Sequence, residues 1–122
     1  AGCGRIFDGD ALSFYHSIQK ISLLADDTIL CPAHEYTLSN LQFALAVEPN
    51  NQDSKDYQQQ CLLLRQQQRP TLPTLLGKEK LFNPFLRCHL LVKEISDLTH
   101  ENCQTGAQGF AALRRYKNHW QS

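Results

Sequence analysis

A chain of 122 residues, 42% of them hydrophobic, is long enough to build one domain around its own core. Lys+Arg 12 against Asp+Glu 12 leave a formal net charge of +0, so the overall balance gives no reason to expect nucleic acid or a membrane surface as partner. The 5 cysteines, an odd number without paired CxxC spacing, fit reduced thiols in the cytoplasm better than a disulfide framework, and no apolar run approaches the roughly 20 residues of a membrane helix.

Methionine is absent, and the loop-like opening Ala1-Gly2-Cys3-Gly4 predicts a fold that continues beyond this sequence. Gly2, Gly4 and Gly9, with Arg5 and Phe7 between them, read as a loop whose backbone takes positive φ or passes close to another group. It is not a dinucleotide fingerprint, which needs glycine where Phe7 stands and a strand ahead of it. Arg5 is open to two readings, a solvated arginine or a grip for a carboxylate. A helix follows from Asp10, with Asp8 or Asp10 as cap and Leu12, Tyr15, Ile18 and Ile21 or Ser22 along one face.

After a turn at Ala25-Asp26-Asp27, Thr28 to Cys31 predicts one short buried strand with no second strand to pair it, again pointing to a fold larger than the chain. Cys31-Pro32-Ala33-His34-Glu35-Tyr36-Thr37 then joins that strand to a helix capped by Thr37 or Ser39 and ending near Val47. Such strand-to-helix junctions carry ligand and metal residues in α/β proteins, because the strand end is rigid and the loop side chains can converge. A Gln-rich helix spans roughly Asp53 to Gln68, with Tyr57, Cys61 and Leu64 on its inner side, the glutamines on a solvated face and Pro70 as its stop. Thr71 to Arg87 predicts an irregular connection with a helical turn over Thr74 to Lys80, and Asn83-Pro84-Phe85-Leu86 a turn that plants Phe85 in the core. Leu90, Leu91, Ile95 and Leu98 mark a short helix, Glu101 to Gly106 a loop, and Thr105 to Trp120 a last helix with Phe110, Leu113 and Trp120 inward. The fold class is thus mostly α with one short strand.

Three groups could carry chemistry. His34 stands at the predicted strand end, beside a carboxylate and a phenol, although no HxH or HExxH pattern supplies it with partners. Cys31 and His34, spaced C-x-x-H, would make half of a structural zinc site, but the adjacent Cys88 and His89 do not converge on one ion to complete it. Arg114 and Lys117 lie about 60° apart on one helix face while Arg115 points elsewhere. Those two cations read either as partners of the helix C-terminal dipole or, with Arg5, as a cradle for a small dianion or trianion.

Taken together, Gly2-Cys3-Gly4-Arg5-Ile6-Phe7-Asp8-Gly9, Cys31 to Asn40, Asn83-Pro84-Phe85-Leu86-Arg87 and Leu113-Arg114-Arg115-Tyr116-Lys117 closely resemble the C-terminal half of the hydroxyacylglutathione hydrolase (glyoxalase II) family of the metallo-β-lactamase superfamily. The resemblance implies that residues 1–36 are the C-terminal end of an incomplete αββα metallo-β-lactamase-like domain and that 37–122 form a helical substrate-binding domain. It implies metal-assisted hydrolysis of the thioester S-D-lactoylglutathione to D-lactate and glutathione, at a binuclear site holding zinc foremost, with iron or manganese as alternatives. Residue by residue, it makes His34 a metal ligand, Tyr36 a contact to the glutathione moiety, and Arg5, Arg114 and Lys117 the grip on its carboxylates. Phe7 stands where the family often has tyrosine, keeping the ring and losing the hydroxyl. The family's THxHxDH motif, a later histidine and the bridging aspartate belong to an upstream half that is missing here, so the chain alone is expected to be inactive. The alternative is a non-catalytic helical module that binds glutathione or another protein; a small structural zinc protein is a third.

Overall fold

Three helices begin where a short polar side chain can take up a free backbone N–H, and these starts fix much of the architecture. Asp10 accepts from Ser13 N at 2.7 Å, Asn51 from Ser54 N at 3.1 Å, and Thr105 from Gln108 N at 3.2 Å. The computed structural model describes residues 1–121; Ser122, the last residue of the region expected over 37–122, lies outside them. Along the chain the elements are α1 (Ala11–Ser22), β1 (Ile29–Leu30), α2 (Thr37–Val47), α3 (Gln52–Gln66), β2 (Thr74–Leu75), α4 (Leu76–Phe82), α5 (Val92–Thr99) and α6 (Gly106–His119). No described helix is long and apolar enough to cross a membrane.

The core gathers around α6. Phe110, Ala112 and Leu113 pack against Phe43 and Val47 of α2, Ile95 of α5, and Phe85, Cys88 and Leu91 from the segment before α5. Phe110 takes Phe14 of α1 edge-on at 5.6 Å between ring centroids and Phe85 edge-on at 5.7 Å, the geometry that the aromatic quadrupole favours. Phe85 is buried as the Asn83 to Leu86 turn predicts, its N–H held by Asn83 Oδ1 at 3.0 Å. A second cluster joins Leu41, Cys61 and Phe82, with Tyr57 stacked on Phe82 at 4.4 Å. Trp120 closes the end of α6 against Phe43.

The strand expected to stand alone has a partner: β1 and β2 pair antiparallel, Ile29 opposite Leu75 and Leu30 opposite Thr74. The partner was hidden because a two-residue strand has no alternation to read, and α4 starts only after it, at Leu76, where a helical turn from Thr74 was expected. The lone strand therefore no longer argues for a missing element. Nor is the strand buried. Ile29 is 62% exposed, and Cys31 lies beyond β1 with its side chain in the open, so the apolar run Ile29-Leu30-Cys31 tracks strand propensity and not burial. The Gln-rich helix ends at Gln66, ahead of Pro70, where Gln68 turns to φ 57 and Arg69 N reaches back to Leu64 O at 2.8 Å.

Candidate functional site

The glycine loop, the β1–α2 loop and the last turns of α6 enclose a cleft of about 830 Å³, within the range of small-molecule sites. Arg5, Phe7, His34, Tyr36, Arg114 and Lys117, every residue singled out from the sequence for substrate or metal, line this one cleft.

The glycine loop is fastened from three sides. Gly2, at φ +130, has no room for a side chain: a Cβ there would sit 2.7 Å from Asn40 Nδ2. Asn83 Nδ2 donates to Gly2 O at 2.9 Å, and Arg114 Nη1 donates to Cys3 O at 2.9 Å and Gly4 O at 3.2 Å. The Cys3 thiol lies 3.5 Å from the same Nη1; burial pushes its pKa up while the guanidinium opposes that shift. Beyond these anchors Arg5 and Phe7 are exposed, Phe7 at 92%.

The α6 wall is set on buried aromatics. Arg114 is only 4% exposed, its guanidinium carbon 5.1 Å from the centre of the Phe85 ring, and its Nη2 donates to Asn118 Oδ1 at 3.2 Å. Its Nε is buried and has no hydrogen-bond partner. One turn on, Lys117 sits over Phe43 and Phe85 at 5.2 and 5.7 Å, and its ammonium donates to Asn40 Oδ1. Burial, and then the Arg114 charge, pull the Lys117 pKa down to about 8. Arg115 points away and pairs with Glu101 at 2.5 Å, as its place on the helix predicts.

Across the cleft, His34 and Tyr36 are exposed and stacked, with ring centroids 5.1 Å apart. Tyr36 occupies the N-cap of α2 with no side-chain cap bond, in place of Thr37 or Ser39. The Thr37 hydroxyl instead hydrogen bonds the Thr71 hydroxyl at 2.6 Å, and Glu35 accepts from Thr71 N at 3.0 Å and from the Thr71 hydroxyl.

His34 by itself does not make a metal site. Among the described residues no group of three or more His, Cys, Asp or Glu side chains is arranged to hold an ion, so the donors present fit one ligand of a centre and not the centre.

Asn40 and Cys3 also line the cleft and were not singled out from the sequence. Asn40 was findable, since it follows Tyr36 by four residues and so shares its face of α2. Cys3 was not, because its place depends on the fold of the glycine loop.

This arrangement can bind a small polyanion: cations on one wall, aromatic rings and an imidazole on the other. A family model described as "Hydroxyacylglutathione hydrolase C-terminus" matches residues 35–120. The chain is 49% identical to a hydroxyacylglutathione hydrolase of Aliivibrio salmonicida over 97% of its own length and 47% of the relative's. It is 52% identical to one of Pectobacterium carotovorum subsp. carotovorum over 97% and 47%, and 41% identical to one of Shewanella baltica over 98% and 48%. The chain thus spans about half the length of these curated relatives. By the family model and by its relatives alike, this chain belongs to the hydroxyacylglutathione hydrolase family, whose C-terminal part it matches.

Proposed function

We propose that the chain is the C-terminal part of a cytoplasmic enzyme that hydrolyses S-D-lactoylglutathione to D-lactate and glutathione, and that it supplies the glutathione-binding wall and one metal ligand, His34. In this reading residues 1–36 complete a metallo-β-lactamase-like domain whose N-terminal half brings the remaining ligands, and 37–122 are the substrate-binding domain. The observation that carries it is the convergence of Arg5, Tyr36, Arg114 and Lys117, from three distant stretches of chain, on one cleft that His34 also borders.

The division of labour follows from the chemistry. Glutathione's two carboxylates suit the α6 wall, where the Arg114 and Lys117 cations are already held against Phe43 and Phe85 and lose little freedom on pairing with an anion. Arg5, exposed on the same cleft, is suited to an outer carboxylate of the ligand, and the Tyr36 ring, stacked on His34, to the glutathione moiety near the thioester. Zinc, or iron or manganese in its place, polarises a carbonyl and activates water when held by a full ligand set. One histidine does not hold it, so the chain alone does not turn over.

Purified chain mixed with S-D-lactoylglutathione is expected to release no glutathione. Joined behind the N-terminal half of the Pectobacterium carotovorum relative, it is expected to hydrolyse the thioester and to lose that activity on His34→Ala. Turnover by the chain alone, unchanged in His34→Ala, would contradict the reading. The second reading, a non-catalytic glutathione-binding module, draws on the lack of a metal-holding cluster among the described residues. Micromolar glutathione binding by the chain, with no hydrolysis once joined to the other half, would favour it.

A further inference from the structure

His34 and Tyr36 line the cleft from a loop whose residues 31 to 36 have no buried member, and both are exposed. Something other than packing must fix them. The loop is held at two points, and both holds come from one short segment, residues 71–75. At the near end, β1 pairs with β2 through Ile29–Leu75 and Leu30–Thr74. At the far end, the Glu35 carboxylate takes the Thr71 N–H at 3.0 Å on Oε2 and the Thr71 hydroxyl on Oε1.

The far hold is built where it can be strong. Thr71 and Thr37 are 5% and 4% exposed, so their polar groups have little water to turn to. Thr71 has a single hydroxyl hydrogen; with that hydrogen on the carboxylate, the 2.6 Å contact to Thr37 has the Thr37 hydroxyl as donor. The chain of bonds therefore runs from Thr37 through Thr71 to Glu35, spanning both sides of Tyr36. It ties the start of α2, which has no side-chain cap, to the segment at Thr71. A carboxylate just ahead of a helix N-terminus is also favoured by the helix dipole. Because Glu35 lies between His34 and Tyr36, fastening its side chain sets the path of both flanking residues.

We infer that Glu35 is a positioning residue: latched to Thr71, it holds His34 and Tyr36 stacked at the mouth of the cleft in the geometry that the thioester end of the substrate requires. The substrate assignment rests on the function proposed above; the latch itself does not. Glu35 is the far anchor of a loop that otherwise hangs on a two-residue strand. Glutamine can restore it, since its carbonyl oxygen accepts from Thr71 N–H and its amide donates to the Thr71 hydroxyl, which then turns its own hydrogen toward Thr37. Alanine cannot.

Nuclear magnetic resonance on the wild-type chain and on Glu35→Ala, Glu35→Gln and Thr71→Val tests this, with S-methylglutathione as a probe that is not hydrolysed. In Glu35→Ala the Thr71 amide is expected to exchange about tenfold faster or more, as for local opening, while the Leu113 amide in α6 keeps its rate. The ring contacts between His34 and Tyr36 are expected to vanish with it. Thr71→Val, which keeps the backbone N–H bond to Glu35 and loses only the hydroxyl, should weaken the ring contacts without abolishing them, and Glu35→Gln should retain both features. Ring contacts and Thr71 protection that persist in Glu35→Ala would overturn the inference. So would equal acceleration at Leu113, which would mark a purely structural role. Absence of any probe-dependent shift at Tyr36 in the wild-type chain would instead strike the glutathione reading, with the latch still judged by exchange and ring contact.

Discussion

The two walls of the cleft are built on opposite principles. The α6 wall stands on Phe43, Phe85 and Phe110, all fully buried, and each of its cations is committed to fixed partners before any ligand arrives. The loop wall, with Arg5 and Phe7 on one side and His34 and Tyr36 on the other, is exposed and hangs on a few hydrogen bonds. A preorganised cation loses little freedom on binding an anion, which would suit the glutathione end of the proposed substrate. A lightly tethered loop would suit the thioester end of that proposed substrate, where the proposed function has residues from elsewhere fit. Substitutions should separate the two: on the α6 wall stability and binding fall together, and on the loop wall binding falls alone.

The largest effect is expected beneath the α6 wall. Phe85→Ala removes the ring under both Arg114 and Lys117 and opens a cavity against Phe110, a loss of about 3–5 kcal/mol by chemical denaturation. Next comes Arg114→Ala, which strips the Cys3 and Gly4 carbonyls of their donor and should cost about 1–3 kcal/mol along with ligand binding. Arg114→Lys should recover little, since an ammonium has no fork to span the carbonyls and Asn118. If Arg114→Ala proves as harmless to stability as a rim substitution, the contrast between the walls fails.

Lys117 sharpens the comparison through pH. Its pKa falls on folding from 10.5 to about 8, so between those values the folded chain has released a proton that the unfolded chain keeps. The cost of burying the ammonium is therefore fully present below about pH 8 and is relieved as pH rises toward 10.5. Ligand binding runs the other way: S-methylglutathione affinity should decline as pH rises through about 8, when Lys117 loses the charge that faces Arg114 and Cys3 in the free cleft. In Lys117→Arg, whose charge persists, titration calorimetry should find that decline gone. The smallest stability effect belongs to the rim, where Arg5→Ala should leave unfolding within about 0.5 kcal/mol of wild type yet weaken binding severalfold.

Much of this could be read from the chain before any fold. Asp10 and Thr105 announce their helices because a cap is a local event, settled within four residues. The spacing of Arg114 and Lys117 puts both on one face and Arg115 off it, again within one turn. What escaped was non-local or too short to have a period. β2 is two residues long, and Glu35 finds Thr71 at a separation of 36 residues. Cys31 misled because an apolar run reports strand propensity, whereas burial depends on what lies against the strand. The anchoring of the glycine loop by Asn83 and Arg114 spans 81 and 111 residues, so the sequence offered its glycines and not their reason.

In the proposed function this chain carries the glutathione wall and a single metal ligand of a site completed elsewhere. The most direct test is hydrolysis of S-D-lactoylglutathione by the chain joined to the N-terminal half of the Pectobacterium carotovorum relative, beside the same protein with His34→Ala and with Lys117→Ala. Turnover is expected for the first, none above background for His34→Ala, and a raised KM with kcat largely kept for Lys117→Ala. A joined protein that folds and binds metal but hydrolyses the thioester equally well in all three forms would contradict the proposed function.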